Sequence, residues 1–236
     1  MSLRIDILTL FPEMFGPILG TSIPKRAADK GLVEYHLTNI RDFATDAHRS
    51  VDDRPFGGGP GMVMMAPVVC DAVEAVERLD GRPATRILLT PQGRLLDQTL
   101  ATELAQRPRL LLIAGHYEGF DQRIVDLLSP MELSIGDYVL SGGELAAMVV
   151  VDAVARLLPG ALGHEDGAAE ETFADGLLEY PQYTRPREYR GLGVPDILLS
   201  GNHQAIAQWR QRERETRTQA RRPDLWQWRR TEETES

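Results

Sequence analysis

Three short stretches of this chain place glycine, acid and hydroxyl groups where apolar runs end. They are Pro91-Gln92-Gly93-Arg94, Gly115-His116-Tyr117-Glu118-Gly119, and Gly136-Asp137-Tyr138 within SIGDYVLSGG. The last runs straight into ELAAMVVVDAVARLLPG, so the pattern is strand, polar turn, apolar helix. A phosphate-gripping loop would sit at such a place, yet the spacing is neither G-x-G-x-x-G nor a run closed by G-K-[ST]. Loops of this kind offer backbone N–H and C=O groups more than positive charge. They suit a neutral or cationic ligand, such as an adenine ring or a sulfonium, better than a polyphosphate; plain turn chemistry is the alternative. A fourth stretch, DDRPFGGGPGM at 52–62, can be neither a stable helix nor a central strand. It reads either as a surface loop or as a mobile lid whose acids and Arg54 close on a substrate. The five histidines and single cysteine have no zinc spacing, and no Ser-His-Asp signature occurs.

The elements that must position these loops alternate along the chain. Strand-like runs cover 4–10, 33–40, 86–90, 109–114 and 131–135, and helical patterns cover 22–31, 67–79, 97–106, 121–128 and 144–158. RILLT and RLLLIA are continuous apolar runs, as expected of strands covered on both faces. The alternation predicts an α/β domain with a mainly parallel sheet, in which ligands sit at the carboxyl ends of the strands. From about 160 to 183 the period stops in an acidic, glycine-rich stretch that reads as a linker. Beyond it, 195–199 and 202–220 predict a small helical domain, with Asn202 as an N-cap.

The chain has 236 residues, 42% hydrophobic and 26% charged, which suits an ordinary globular protein of one large domain or one medium and one small. No apolar run approaches the roughly 20 residues of a membrane span, and no secretory leader is evident at the N-terminus. Cys70 lies at helical spacing in PVVCDAVEAVERL and reads as an inert helix residue, so the expected compartment is the cytoplasm. A net charge of -9 argues at first against nucleic acid. Its distribution does not: residues 1–175 carry -11, while 176–230 carry +5 from eleven arginines interleaved with Trp209, Trp226 and Trp228. Arginine with aromatics suits phosphate contact and base stacking; a solvated helical face with core tryptophans is the other reading.

Taken together, LFPEMF (10–15), RDF (41–43), HRSVDDRPFGGGPGM (48–62), TPQGR (90–94), YEGFDQR (117–123), SIGDYVLSGGE (134–144), LPGALGHE (158–165), YTRP (183–186) and LLSGNH (198–203) resemble the bacterial tRNA (guanine-N1)-methyltransferases, the TrmD family of the SPOUT class. The motifs are collinear over nearly the whole chain. The resemblance implies a deep trefoil knot within the α/β domain, S-adenosylmethionine as cofactor, methyl transfer to N1 of guanosine 37 in tRNA, and a homodimer whose active site lies between subunits. It divides the chain into a knotted domain (1–160), a linker carrying the base (161–183) and an all-helical tRNA-binding domain (184–236). Cofactor contacts carry over to Thr90, Pro91 and Gly93, to Gly115, Tyr117 and Gly119, and to Ile135, Gly136, Asp137, Tyr138, Val139, Leu140, Gly142 and Gly143. Substrate contacts carry over to Arg49, Asp52, Arg54 and Gly59. The base maps to Glu171, its helper to Arg156, and a further contributor, with magnesium, to Glu118.

Two positions depart from the family pattern. Glu171-Thr172-Phe173 stands where Asp-Ser-Phe is usual, with Asp166 and Glu170 as neighbouring alternatives for the base. His116 stands at the basic position before Tyr-Glu-Gly. The alternatives to this enzyme are a SPOUT-fold RNA-binding protein without turnover, or a methyltransferase acting at another RNA position.

Overall fold

The apolar runs become the strands of one parallel sheet. A computed structural model describes residues 2–162, 172–173 and 175–227. In chain order, β1 is Leu3–Thr9, α1 Gly16–Leu19, α2 Ser22–Asp29 and β2 Val33–Asn39. A two-residue pair follows, β3 (Asp52–Asp53) and β4 (Val63–Met64), and then α3 (Ala66–Glu77). Next come β5 (Thr85–Leu95), α4 (Gln98–Ala105), β6 (Arg109–Ile113), α5 (Gln122–Leu128), β7 (Met131–Ser134) and α6 (Glu144–Ala155). The five long strands pair in the order β2-β1-β6-β5-β7, every pairing parallel. The mainly parallel α/β expectation therefore holds.

Strand periodicity sends alternate residues to opposite faces. Ile5, Ile7, Leu110 and Leu112 pack with Ala147, Val150, Val151 and Val154 of α6 on one face. Leu8, Leu111 and Ile113 pack with Val69, Val73 and Val76 of α3 and Ile124 of α5 on the other. That second face begins with charge rather than apolar groups. Asp6 is fully buried and accepts from Arg4 (Nη2 2.7 Å) and Arg109 (Nε 2.7 Å). The Arg109 guanidinium also donates to the carbonyls of Val76 and Glu77 in the last turn of α3 and of Asp80 just after it, adding to the Leu79 and Asp80 amide bonds that Val76 and Glu77 already accept.

β5 runs further than the sequence pattern predicts. Its pairing with β7 shifts register between Leu89 and Arg94 and then resumes at Arg94↔Leu133 and Leu95↔Ser134. The strand thus carries Thr90, Pro91 and Gly93 past β7 instead of ending before them.

The chain divides into two compact units, residues 1–165 and 166–236. The second contains an antiparallel pair, β8 (Glu188–Tyr189) with β9 (Leu192–Gly193), then α7 (Asp196–Leu199) and α8 (His203–Arg221). Asn202 caps α8 by accepting from the Ala205 amide at 3.1 Å. Thr218, buried on α8, accepts from the Leu178 amide at 2.9 Å. Several arginines are engaged inside this unit: Arg214 with Asp175, Arg222 with Asp224, and Arg210 over the Tyr180 ring at 4.6 Å.

Candidate functional site

The three glycine-bearing loops meet at the carboxyl ends of β5, β6 and β7, where they line an open cleft. Thr90 and Pro91 contribute from β5. Gly115, Tyr117, Glu118 and Gly119 contribute from the loop after β6. Ile135, Gly136, Tyr138, Val139, Leu140, Gly142 and Gly143 contribute from the loop after β7. Apolar wall comes from Leu89, Phe120, Leu133 and Ala146. No Lys or Arg is among the lining residues, and Glu118 is their one carboxylate. A polyphosphate would find no countercharge here. An uncharged ring between apolar walls, with a cationic group near Glu118, matches the lining.

Two of the residues assigned to the cofactor stand outside the lining, Gly93 and Asp137. Gly93 has a different function in the fold. A Cβ there would come within 2.5 Å of the Glu132 carbonyl oxygen and closer still to the Glu132 carbon and Leu133 nitrogen. Absence of a side chain is what lets the irregular part of β5 lie directly against the backbone of β7. A similar approach closes the cleft floor. The Gly143 amide donates to the Gly115 carbonyl at 2.7 Å, and a Cβ on Gly143 would lie 2.9 Å from Ala114 Cα.

Beneath that floor lies a polar network that sequence reasoning missed. Glu144, the first residue of α6 and 2% exposed, accepts from Thr9 Oγ1 at 2.7 Å. Its other oxygen is 2.8 Å from His116 Nε2. Thr9 Oγ1 accepts in turn from the Phe11 amide, and the Phe11 ring meets the His116 ring edge-on at 4.8 Å. The network ties the end of β1 to two of the three loops. The one available signal was a glutamate directly after Gly142-Gly143 at the mouth of a buried helix.

Tyr117 links the cleft to the 48–62 segment. Its backbone is left-handed (φ 64°). Burial pushes its hydroxyl above the usual tyrosine value, the Asp52 carboxylate to which it hydrogen-bonds adds to this, and Arg41 opposes it. Arg41 donates to the Arg49 carbonyl at 2.9 Å, and Arg49 pairs with Asp42. Arg54 and Gly59 lie on the exposed stretch between β3 and β4. That stretch is a hairpin loop with a paired stem: Asp53 faces Val63 and Asp52 faces Met64.

Arg156 follows α6 as its C-cap. At 1.5 Å rise per residue it stands about 18 Å along the helix axis from Glu144 and the cleft. Glu171, with its neighbours Asp166 and Glu170, lies outside the described residues, as does Trp228. Among the described residues no three His, Cys, Asp or Glu side chains are grouped to hold a metal ion, and no helix is long and apolar enough to cross a membrane. Burial raises the Cys70 thiol above its usual value, in keeping with an inert residue.

Sheet, helices and cleft define an α/β protein with a glycine-lined cleft at one end of its parallel sheet. The family described as tRNA (Guanine-1)-methyltransferase TrmD matches residues 3–228, and the chain belongs to that family. It is similar to the tRNA (guanine-N(1)-)-methyltransferase of Moorella thermoacetica, 58% identical over 94% of this chain and 90% of that protein. The corresponding protein of Geobacillus kaustophilus is 57% identical over 94% of this chain and 91% of its own. That of Chloroflexus aggregans is 58% identical over 94% and 87%.

Proposed function

We propose that this chain is a cytoplasmic tRNA methyltransferase that modifies N1 of guanosine 37, next to the anticodon. The observation that carries the reading is the cationless, glycine-floored cleft in a chain of this family. S-adenosylmethionine, when bound, supplies the methyl group from its sulfonium. Thr90, Pro91 and the backbone of the loops after β6 and β7 hold the adenine and ribose, while Glu118 faces the cationic end. A magnesium ion assisting Glu118 is the further expectation from the family resemblance, and it enters none of the steps here.

N1 of guanine carries a proton at neutral pH, so the chain must remove it as the N1–methyl bond forms. Glu171 is the proposed acceptor. As the proton leaves, negative charge grows on O6, and the Arg156 guanidinium is suited to stabilise it. The span of α6 between the cleft and Arg156 supports a site completed by a second copy, with Arg156 and Glu171 of one subunit serving the cleft of the other. Leu145 and Val149, one turn apart on α6, remain about half exposed, which supports an isologous apolar contact. Arg49, Asp52, Arg54 and Gly59 are proposed to receive the tRNA, together with the arginines of the second unit. The division into 1–160, 161–183 and 184–236 is proposed on the same basis, with a tRNA-binding module at the end that is not all-helical as expected, since the β8–β9 pair lies within it. A deep trefoil knot in the first domain is proposed from the family resemblance.

Transfer of labelled methyl to tRNA transcripts with and without guanine at position 37 tests the function. Incorporation that requires the guanine supports it. Binding without transfer favours the RNA-binding alternative, and incorporation independent of position 37 favours another site on the RNA. Mixed dimers of Arg156→Ala chains with chains disabled in the 136–138 loop should recover activity if the site is shared.

A further inference from the structure

Phe56 is the most exposed large apolar residue described in this protein. Its ring is 99% accessible, against 37% and 41% for Phe11 and Phe173, while Phe15 is fully buried. Scattered exposed apolar groups are ordinary, but a whole aromatic ring held in water by a built turn is not. The Gly58 amide donates to the Pro55 carbonyl at 3.2 Å, which puts Phe56 and Gly57 at the two corners of a hydrogen-bonded turn. Gly57 has φ 87°, the signature of the second corner of a type II turn, where only glycine is comfortable. Pro55 precedes the ring and restricts the chain on its other side.

The turn is not adrift from the cleft. Its stem is the Asp53↔Val63 pair. Beyond the stem, the Met62 carbonyl accepts from the Glu118 amide and the Met64 amide donates to Gly119, each at 2.9 Å. The hairpin that carries Phe56 is therefore joined through its β4 side to the loop that lines the cleft with Tyr117, Glu118 and Gly119. Phe56 lies three residues past the stem, a reach of roughly 10 Å. Arg54 is exposed two residues before it, and Arg49 lies on the same segment.

An aromatic face beside guanidinium groups, presented near a methyl-transfer cleft, has the chemistry that recognises unpaired bases in single-stranded RNA. We propose that Phe56 stacks on an unpaired nucleobase of the substrate's anticodon loop, adjacent to the guanine being methylated, and positions that loop over the cleft. This rests on the tRNA-methyltransferase reading above. The ring touches no reacting atom, so it is a substrate-positioning residue. Tyr or Trp should replace it, whereas an aliphatic side chain of similar bulk should not.

The full-length chain carrying Phe56→Ala, Phe56→Leu or Phe56→Trp is compared with wild type on a tRNA transcript with guanine at position 37. One stacked base is worth a factor of about 5 to 150 in affinity. The expected result is a KM for tRNA raised by at least about fivefold in Phe56→Ala, a similar loss in Phe56→Leu and near-wild-type KM in Phe56→Trp. The dissociation constant for S-adenosylmethionine and the unfolding temperature should be unchanged in all three. A wild-type KM in Phe56→Ala overturns the proposal, as does Phe56→Leu performing as well as Phe56→Trp. Light scattering that finds Phe56→Ala monomeric and wild type dimeric overturns it in another way, since the ring's partner is then a second copy. If wild type itself transfers no methyl to tRNA, the functional reading fails first; if wild type is active and Phe56→Ala matches it, only the stacking proposal falls.

Discussion

Replacing Gly93 with alanine tests whether the cleft depends on one close backbone approach. The added methyl would sit within 2.5 Å of Glu132 O, where ordinary contact begins near 3.4 Å. All three nearest atoms, Glu132 C and O and Leu133 N, are main-chain atoms, so no rotamer change relieves the clash, and β5 and β7 must part by about 1 Å. Overpacking of this kind costs about 1–3 kcal/mol. Loss of the adjoining Leu96 amide to Ser134 carbonyl bond (2.8 Å) adds about 1 kcal/mol. At about 2–4 °C per kcal/mol for a chain of this size, the unfolding temperature should drop by roughly 5–15 °C. Function should suffer beyond stability. Thr90 and Pro91 lie just before that contact on β5, and Ile135 and Gly136 directly follow β7. A displacement near 1 Å can cost about a hundredfold in rate. Calorimetric titration with S-adenosylmethionine and scanning calorimetry read the two effects, with Gly81→Ala as control because a Cβ there meets nothing within 4 Å. Equal unfolding temperature and cofactor affinity in the Gly93 and Gly81 variants would refute the reasoning.

Arg109→Ala should destabilise by about 3–5 kcal/mol in urea unfolding, because it strips Asp6 of a buried partner and removes the side-chain bonds to three carbonyls near the end of α3; a loss under about 1 kcal/mol would contradict the assignment. The Arg82 side chain and then its amide hold the Asp80 carboxyl well below the usual aspartate range, so its stabilising contribution is present above about pH 4 and is lost as pH falls towards the depressed value. Asp80→Asn should therefore lower stability at pH 7 and flatten the decline below pH 4, and an acid limb as steep as that of wild type would count against it. Glu144→Ala leaves Thr9 and His116 without their shared acceptor, and cofactor affinity should fall about tenfold by calorimetry; wild-type affinity would show that the network does not hold the loops.

The strand–helix alternation was legible because buried parallel strands leave continuous apolar runs and caps leave single-residue marks. Asp97, Asp121 and Asn202 each cap the helix that follows. The cleft was legible for the same local reason: the glycine loops follow strand ends, and a parallel sheet brings strand ends together. What escaped is non-local. Arg109 opens an apolar run and looks like a polar boundary residue, yet it is 1% exposed, because its partner Asp6 comes from a strand over a hundred residues earlier. Glu144 looked like the acidic start of a helix, and only the return of β1 beside it makes it a hub. The extension of β5 to Leu95 was hidden because Pro91-Gln92-Gly93 reads as a turn when the pairing strand is unknown. The β3–β4 and β8–β9 pairs have two residues per strand, too short for any period to register.

The ionic network of Arg4, Asp6, Arg109 and Asp80 and the ligand cleft occupy opposite ends of the same strands. Along β1, Arg4 and Thr9 are five residues apart, about 17 Å at strand rise, twice the screening length of about 8 Å at physiological ionic strength. The Asp80 carboxylate, held at the Arg4 end, thus stands well apart from the groups of the cleft. Heat or acid tolerance can also drift under selection through substitutions at the charged end, without retuning the groups that meet the substrate.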